Sequence, residues 1–234
     1  MKEKVILSWS GGKDSALALY ELEKTESYEI AALLTTVAQE YDRISMHGVQ
    51  RILLERQAEC LGFPLEKVFI SKDSSNEDYE SKMRDALAKY VDDGVSCVVF
   101  GDIFLEDLRR HREENLSKMG MKGIFPIWRR DTRELAHTFI DLGFSAVITC
   151  VDSSVLDKTF IGRAFDESFL SQLPSTVDPC GENGEFHSFV YDGPIFREPI
   201  LHTKGEVVLR ENRFYYCDLT PLQNGYLYPQ ASLV

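Results

Sequence analysis

A six-residue loop with the sequence Ser-Gly-Gly-Lys-Asp-Ser occupies residues 10–15, between an apolar segment and a segment whose apolar residues have helical spacing. Its two adjacent glycines permit positive φ angles and a close approach of the backbone to an anion. Two serines add hydroxyl donors, and Lys13 and the amino end of the following helix add positive charge. The loop therefore predicts a phosphate site at the junction of a strand and a helix.

Two related glycine-rich motifs are excluded by their spacing. A Walker A loop needs glycine where Leu7 stands and a hydroxyl residue where Asp14 stands. A dinucleotide fingerprint needs three glycines spaced Gly-x-Gly-x-x-Gly, which the adjacent pair does not provide. A carboxylate beside a phosphate is explained if Asp14 caps the helix or binds a magnesium ion that accompanies the phosphates. A tight turn with a surface lysine is the simpler alternative, but it does not explain the serines and the aspartate.

Up to about residue 128, short β-rich segments alternate with longer helical patterns, which is typical of a parallel sheet with crossover helices. The pattern predicts strands at residues 5–9, 30–37, 67–71, 96–100 and 123–127. It predicts helices directly after the loop and at residues 49–61, 79–91 and 105–118. These segments indicate a Rossmann-like α/β domain over residues 1–128, with helices on both faces of a parallel sheet.

The chain from residue 129 onward has a different pattern. A helix is predicted over residues 131–142 and a strand over residues 144–151. Beyond residue 174, proline and glycine become frequent, and short alternating segments at residues 186–191 and 206–209 indicate an antiparallel or irregular portion. We therefore expect a second, smaller α+β domain over residues 129–234.

The composition argues against several classes of protein. A net charge of −12 disfavours general attraction to nucleic-acid phosphates. The longest apolar runs are far shorter than the roughly 20 residues that span a bilayer, and the first residues do not resemble a secretory signal. The five cysteines are scattered, so neither a disulfide framework nor a zinc site is expected. We expect a cytoplasmic protein without membrane or nucleic-acid partners, which could form homo-oligomers.

A second cluster of polar residues lies at residues 178–189, with the sequence Asp-Pro-Cys-Gly-Glu-Asn-Gly-Glu-Phe-His-Ser-Phe. Two glycines separate Glu182 from Glu185, and His187 follows two residues later. If residues 185–190 form a strand, Glu185 and His187 point to the same side. Such groups could bind a metal, orient an amine or move a proton. A glycine-rich turn with solvated acids is the alternative interpretation.

The loop resembles the pyrophosphate loop of the N-type ATP pyrophosphatases, and the second cluster resembles the Gly-Glu-x-Gly-Glu-Tyr/Phe signature of the diphthine–ammonia ligase family. Residues 45–47, 101–114 and 192–196 are also similar to that family, so the resemblance extends from residue 5 to about residue 200. It implies a Rossmann-like nucleotide domain of the HUP type, also called adenine nucleotide alpha hydrolase-like. Arg109 replaces a glutamine of the eukaryotic and archaeal ligases, and the chain resembles shorter bacterial-type relatives more closely.

The resemblance implies an ATP-dependent ligase with ATP and Mg²⁺ as cofactors. Such an enzyme splits ATP between the α- and β-phosphates, adenylates a small-molecule or protein-borne carboxylate, and lets ammonia or an amine displace AMP. Two other functions stay open. A tRNA-modifying enzyme of the same superfamily is disfavoured by the negative charge and the unpaired cysteines. A nucleotide-binding sensor similar to the universal stress proteins would have little use for the acidic cluster.

The motifs and the resemblance together assign roles to individual residues. Ammonium must lose a proton before it attacks an acyl-adenylate, so carboxylates and a histidine are assigned to the amine. The predicted catalytic residues are Lys13, Asp14, Glu182, Glu185 and His187. The predicted ATP-binding residues are Ser10, Gly11, Gly12, Lys13, Asp14, Ser15, Thr35, His47, Gly101 and Asp102, with Asp14 also the predicted magnesium ligand. The predicted acceptor-binding residues are Arg109, Arg112, Gly181, Asn183 and Gly184.

Several of these residues have a simpler alternative role. Thr35 lies at the carboxyl end of a predicted strand, where open α/β sheets bind nucleotides, but threonine is also common in strands. Asp102 fits a magnesium ligand, a partner of the sugar hydroxyls, or a cap of the next helix. Arg109 and Arg112 lie three residues apart on one helix face and suit a carboxylate or the α-phosphate. Their alternative is a solvated face in which they pair with neighbouring glutamates.

Overall fold

The computed structural model describes residues 2–223 and 226–227, and its first β-sheet is built from the amino-terminal half of the chain. The strands of this sheet are β1 (Glu3–Ser8), β2 (Tyr28–Ala38), β3 (Arg43–Ile44), β4 (Leu65–Ile70), β5 (Cys97–Val99) and β6 (Lys122–Ile124). Their order is β4–β2–β1–β5–β6, with every pair parallel, and β3 is antiparallel to the end of β2. The predicted parallel sheet is confirmed, whereas the sequence pattern does not predict β3.

Four helices follow strands of this sheet and cover both of its faces. They are α1 (Lys13–Lys24), α2 (Arg51–Leu61), α3 (Asn76–Asp92) and α4 (Glu106–Ser117). Side chains alternate between the two faces of a strand, so Leu7 packs in one core cluster with Leu17 of α1. Ile6 packs in the other cluster, with Leu87 of α3 and Leu116 of α4. The Rossmann-like arrangement is therefore confirmed, and no helix of the described chain is long and apolar enough to cross a membrane.

The second sheet is antiparallel and follows α5 (Thr132–Asp141) in the chain. Its strands are β7 (Ser145–Asp152), β8 (Phe186–Asp192), β9 (His202–Arg210), β10 (Phe214–Gln223) and β11 (Tyr226–Leu227), and α6 (Glu167–Gln172) precedes β8. The order is β8–β7–β10–β9, with β11 paired to the end of β10. The predicted antiparallel portion is confirmed. Residues 1, 224–225 and 228–234, which the two predicted domains include, lie outside the described residues.

The two sheets share one hydrophobic core. Trp9 and Leu53 from the first part lie in the same buried cluster as Phe186 and Val190 of β8. Phe186 also packs edge-on against Phe169 of α6, with 5.2 Å between the ring centroids. Because β8 is part of this shared core, packing sets its position relative to the loop between β1 and α1. The division into two domains near residue 128 stays a prediction.

Asp152, at the end of β7, ties this strand to the β9–β10 hairpin. Its buried carboxylate accepts hydrogen bonds from Arg213 Nε at 2.9 Å and Nη2 at 2.5 Å, and from the amide and hydroxyl of Ser154 at 2.9 and 2.7 Å. Arg213 and these donors lower the pKa of Asp152 to about 2. Because the folded pKa lies below the ordinary value of 3.8, this carboxylate stabilises the fold above that pH and loses its contribution as the pH falls toward 2.

We predict that Asp152→Asn lowers the free energy of unfolding by roughly 1–3 kcal/mol at neutral pH, because Arg213 and Ser154 lose a buried, charged acceptor. The difference from the wild type should shrink as the pH falls from about 4 to about 2. Urea unfolding at a series of pH values measures it. Asp141→Asn, at an exposed position in α5, is the control and should change stability much less. A difference that stays constant throughout the acid range would contradict the prediction.

Candidate active site

The loop between β1 and α1 contains two glycines with different requirements. Gly11 has a φ of +78°, and a Cβ atom there would lie 2.6 Å from Gln57 Oε1. Gly12 has an extended backbone with a φ of −92°, and a Cβ atom there would lie 3.0 Å from the His47 ring and 3.1 Å from the Ser188 carbonyl oxygen. Positive φ is therefore needed at Gly11 alone, whereas close packing restricts side chains at both positions.

Gln57, on α2, attaches this loop to the rest of the structure. Its side chain is fully buried, and its Oε1 accepts a hydrogen bond from Trp9 Nε1 at 2.8 Å. Its Nε2 donates to the carbonyl of Gly11 at 3.0 Å and to that of Val190 in β8 at 2.6 Å. The Val190 amide in turn donates to the Gly11 carbonyl at 2.9 Å. One glutamine therefore joins β1, the loop and β8.

Sequence reasoning missed Gln57, although a signal for it exists. The buried face of α2 is formed by residues with helical spacing, which are Leu53, Leu54, Gln57, Ala58, Cys60 and Leu61. Gln57 is the polar member of this otherwise apolar face, and a buried amide must find hydrogen-bond partners. The partners themselves come from distant segments, so the sequence does not identify them.

Lys13 is a buried cation that links the loop to the acidic cluster at residues 178–189. Its Nζ lies 3.0 and 2.9 Å from the two carboxylate oxygens of Asp14 and donates to the carbonyl of Cys180. Its backbone amide donates to the Ser188 hydroxyl in β8 at 3.2 Å. Burial by itself would lower the pKa of Lys13, but the Asp14 carboxylate, Cys180 and Glu182 together outweigh it and keep the pKa above the ordinary value. The site therefore contains a permanent positive charge.

Two carboxylates that could cap helices have other partners. Gly12 precedes α1 without a side-chain cap, and Asp14 lies inside the first turn, bound to the neighbouring lysine. Leu105 precedes α4, also without a side-chain cap. Asp102 instead pairs with Arg112, whose Nε is 2.7 Å from Oδ2 and whose Nη2 donates to Oδ1 at 3.2 Å. The cap interpretation is wrong for both, because each carboxylate has a cation within reach.

A cavity of about 470 Å³ opens between the loop, the carboxyl ends of β2 and β5, α4 and β8. Its lining includes most of the predicted site residues, namely Ser10, Gly12, Lys13, Asp14, Ser15, Thr35, His47, Gly101, Asp102, Arg112, Gly181, Glu182, Gly184 and His187. The sequence did not predict that Leu34, Met83 and Phe100 also form its wall. This size and mixed lining are typical of small-molecule sites. Gly11, Arg109, Asn183 and Glu185 do not line it.

The ends of β2 and β5 contribute an unpaired hydroxyl and a close backbone contact. Thr35 Oγ1 is buried and has no hydrogen-bond partner within the described chain. A buried hydroxyl without a partner at a cavity wall is available to hydrogen-bond with a ligand. At Gly101, a Cβ atom would lie 2.8 Å from the backbone of Asp14, so glycine there lets the segment after β5 approach the first turn of α1.

Glu182 lines the cavity and is held by backbone donors. Its Oε1 accepts hydrogen bonds from the amides of Ile103 at 2.7 Å and Phe104 at 3.3 Å. Burial raises the pKa of Glu182 to about 7, the Asp14 carboxylate acts in the same direction, and the two amides oppose it. A carboxyl group with this pKa exchanges a proton near neutral pH, which suits a general base or acid.

Glu185 stabilises the acidic cluster itself. Its Oε1 accepts hydrogen bonds from the Asp178 amide at 3.1 Å and from Asn183 Nδ2 at 2.9 Å, and its Oε2 accepts one from the Asn183 amide at 3.0 Å. Glu185 directly precedes β8, which begins at Phe186, and neither Glu185 nor Asn183 lines the cavity, whereas His187 does. The hydrogen bonds of Glu185 hold the loop in shape, and the predicted roles of Glu185 in catalysis and of Asn183 in acceptor binding stay predictions.

His47 and His187 form a pair of rings at the cavity wall, with 4.5 Å between the centroids. His47 Nδ1 is 3.3 Å from the Ser188 carbonyl oxygen, which can only accept, so we assign the proton to Nδ1 and the lone pair to Nε2. Burial lowers the pKa of His47 to about 4 and that of His187 well below its ordinary value, and the charge of Lys13 acts in the same direction. Both rings are therefore neutral at pH 7.

The two arginines predicted to share a helix face have different surroundings. Arg112 lines the cavity, and its guanidinium carbon lies 4.3 Å from the centroid of the Phe100 ring. Arg109 donates to Glu113 Oε1 at 2.8 Å and stacks near two aromatic rings, of which Phe125 is 4.6 Å away. The alternative in which an arginine pairs with a neighbouring glutamate is therefore confirmed for Arg109, outside the cavity.

Comparison with known proteins identifies the family. The model of the diphthamide synthase N-terminal domain matches residues 3–123, and that of the diphthamide synthase C-terminal domain matches residues 131–219. The chain belongs to the diphthamide synthase family. The phosphate loop lies in the first match and the acidic cluster in the second, so the cavity of this diphthamide synthase family member is built from both matched segments.

Several curated relatives carry the name diphthine–ammonia ligase. The protein of Schizosaccharomyces pombe is 28% identical over 227 residues, which cover 88% of this chain and 37% of that protein. The protein of Danio rerio is 28% identical over 229 residues, which cover 87% of this chain and 88% of that protein. The chain thus spans little more than a third of the yeast relative and most of the zebrafish one. The predicted likeness to bacterial-type relatives stays a prediction.

Among solved structures, a predicted subunit of tRNA methyltransferase from Methanocaldococcus jannaschii is similar over 61% of this chain and 77% of that chain. The TM-score is 0.41 and the sequence identity is 19%.

We predict that Gln57→Leu, which removes the amide at similar volume, lowers the free energy of unfolding by roughly 2–4 kcal/mol, because several buried groups lose partners. The dissociation constant for ATP should rise by about tenfold or more, because the loop loses the part of its attachment to β8 that runs through Gln57. Urea unfolding and calorimetric titration with ATP measure the two effects. Gln50→Leu, which removes an amide bound to Asp218, is the control and should leave ATP affinity within about twofold. Unchanged ATP affinity in Gln57→Leu would contradict the assignment.

Proposed function

We propose that the chain is an ATP-dependent ligase that forms an amide. A carboxylate oxygen of the acceptor attacks the α-phosphorus of ATP, the bond to the bridging oxygen of the β-phosphate breaks, and pyrophosphate leaves. Ammonia or an amine then attacks the acyl carbon, and the carbon–oxygen bond to AMP breaks. The observation that carries this proposal is that Lys13 of the phosphate loop and Glu182 of the acidic cluster line one cavity. Such a cavity serves both a departing anion and an incoming amine.

The loop between β1 and α1 is suited to the terminal phosphates. The first helical amides of α1 lack acceptors within the helix, and its amino end carries partial positive charge. Lys13 adds a full positive charge, and Ser10 and Ser15 place hydroxyls at the cavity wall. Preorganised donors of this kind stabilise the negative charge that develops on leaving pyrophosphate.

A magnesium ion would be held by Asp14 in this proposal. Its carboxylate lines the cavity and is 28% exposed, with Lys13 bound on one side. Within residues 2–223 and 226–227, no three or more His, Cys, Asp or Glu side chains are grouped as metal ligands. Magnesium is commonly bound by one or two carboxylates together with substrate phosphates, so this donor set fits an ion that arrives with ATP. When bound, it would neutralise charge on the phosphates.

Glu182 is the group best placed to accept a proton from the amine. Its carboxyl group lines the cavity, and the amides of Ile103 and Phe104 hold one oxygen. His47 and His187 line the same cavity as Glu182 and offer neutral nitrogen acceptors beside Ser188. In the second step, ammonium would be held by such acceptors and would first pass a proton to Glu182, after which the lone pair of the resulting ammonia attacks the acyl carbon.

The acceptor carboxylate would bind near Arg112 in this proposal. Asp102 accepts a hydrogen bond from Nη2 and lies close to Nε without a hydrogen bond to it, so the N–H groups of Nη1 are left for a second anion. The relatives named diphthine–ammonia ligase make protein-borne diphthine the first acceptor to test. A division into an ATP-binding domain over residues 1–128 and an acceptor-binding domain over residues 129–234 belongs to the same proposal.

Incubation with ATP, Mg²⁺, ammonium and a diphthine-bearing protein is expected to release AMP and pyrophosphate in equal amounts. Lys13→Ala should reduce pyrophosphate release by at least about 100-fold, because the leaving group loses its buried cation. Lys24→Ala, at an exposed position on the same helix, is the control and should retain wild-type turnover. Circular dichroism checks that both variants fold. Release of ADP and orthophosphate, or wild-type turnover of Lys13→Ala, would contradict the proposal.

The pKa of Glu182, about 7, predicts how the reaction depends on pH. The carboxylate is the base, and it is populated above that pKa, so its contribution to kcat/KM should grow as the pH rises through about 7. The ratio of wild-type to Glu182→Gln activity isolates this contribution, because protonation of ammonia affects both proteins equally. We expect the ratio of the two activities to rise by about tenfold between pH 6 and pH 8. A ratio independent of pH would remove Glu182 as the base.

A further inference from the structure

Strand β9 is an outer edge of the second sheet and exposes an apolar segment. It pairs with β10 on one side, and among residues 2–223 and 226–227 no strand pairs with its other side. Val207, Val208 and Leu209 are consecutive, and 36%, 37% and 47% of their surface is exposed. A free edge with large apolar side chains is a template for pairing with another strand, and folded proteins usually protect such edges.

The regular part of this edge is short and clearly bounded. The register with β10 shifts between Lys204 and Val207, where β9 has one extra residue and forms a β-bulge. At the other end, Glu211 and Asn212 both have positive φ and form the hairpin turn. Regular pairing with β10 covers residues 207–210, and Glu206 lies in the bulge that borders them. The bulge limits pairing beyond it, so residues 206–210 are the part of the edge that could accept another strand.

The two charged residues of this segment have no ion-pair partner in the described chain. Glu206 and Arg210 border the same groove as Val208, so all three lie on one face of the sheet. The two charges are four positions apart, roughly 13 Å along a strand, which is too far for them to bind each other. The guanidinium of Arg210 lies 5.1 Å from the Tyr41 ring centroid. Opposite charges that cannot meet within one copy are available to a second copy.

We propose that two copies of the chain associate through β9, antiparallel about a two-fold axis at Val208. In this register Glu206 of one copy lies opposite Arg210 of the other, and the symmetry makes this pair twice. On the other face, Val207 lies opposite Leu209, also twice, and Val208 lies opposite itself. Moving the axis to Val207 or Leu209 would place a charge opposite Val208, so only the proposed register pairs charge with charge and apolar with apolar.

A cysteine on the proposed axis tests the register directly. Directly opposed Cβ atoms lie about 4.5–5.5 Å apart, so Val208→Cys should form a disulfide between copies under mild oxidation. The five native cysteines are buried and give little background. Val155→Cys, at a residue 45% exposed in the turn after β7, is the matched control. We expect covalent dimer from Val208→Cys at least about tenfold faster than from Val155→Cys, and equal rates would overturn the proposal.

Charge reversal tests the pairing without a covalent bond. Glu206→Lys and Arg210→Glu change the net charge of −12 in opposite directions. Each should weaken dimerisation by about tenfold in sedimentation equilibrium, and the double variant should restore it. Circular dichroism checks the fold of each variant. A wild-type chain that stays monomeric at about 100 μM, or single variants that dimerise like the wild type, would overturn the proposal. Neither outcome depends on the proposed ligase activity.

Discussion

The attachment of the phosphate loop to β8 is the interaction on which the rest of the site depends. The Gly11 carbonyl accepts hydrogen bonds from the Val190 amide and from Gln57, and the Lys13 amide donates to the Ser188 hydroxyl. A loop that follows a strand is normally among the more mobile parts of a fold. Here the backbone groups of the loop form hydrogen bonds with β8, a strand of the second sheet. The acidic cluster directly precedes that strand, so the same bonds place the cluster beside the loop.

This attachment creates a site with unusual electrostatics. Lys13 is buried and stays charged because the Asp14 carboxylate and the Cys180 carbonyl surround its Nζ. Glu182 lies close enough to Asp14 for burial and like charge together to raise its pKa to about 7. The same cation helps keep His47 neutral. Burial is the main cause of both pKa shifts, and the charge of Asp14 adds to that of Glu182 and the charge of Lys13 to that of His47.

The two outer strands of the second sheet have different surroundings. Its β8 edge is part of the shared core and carries His187 and Ser188 to the cavity. Its β9 edge lies at the opposite end of the strand order and exposes apolar residues. Between them, Asp152 of β7 holds the hairpin through Arg213. In the strand order, the proposed dimer contact is therefore separated from β8 by two strands.

The local motifs were sufficient to predict much of the candidate site. Gly12, Lys13 and Ser15 lie within four residues of the sequence, and a strand-to-helix turn brings them together at the cavity independently of the surrounding tertiary structure. Glu182 and His187 were also predicted, from spacing and resemblance. The catalytic role predicted for Glu185 stays a prediction, because its carboxylate binds Asp178 and Asn183 and does not line the cavity, which its position in the motif did not reveal.

The sequence by itself determined the alternation of strands and helices, the parallel first sheet, and the phosphate loop at the end of β1. These follow from periodicity and from backbone freedom at adjacent glycines, which are local properties. Only the tertiary structure decided that Gln57 binds Gly11 and Val190, that Asp102 pairs with Arg112, and that Arg109 lies outside the cavity. Each of these depends on which distant segments pack together, because a buried polar group takes its partner from whatever the fold brings within hydrogen-bond reach.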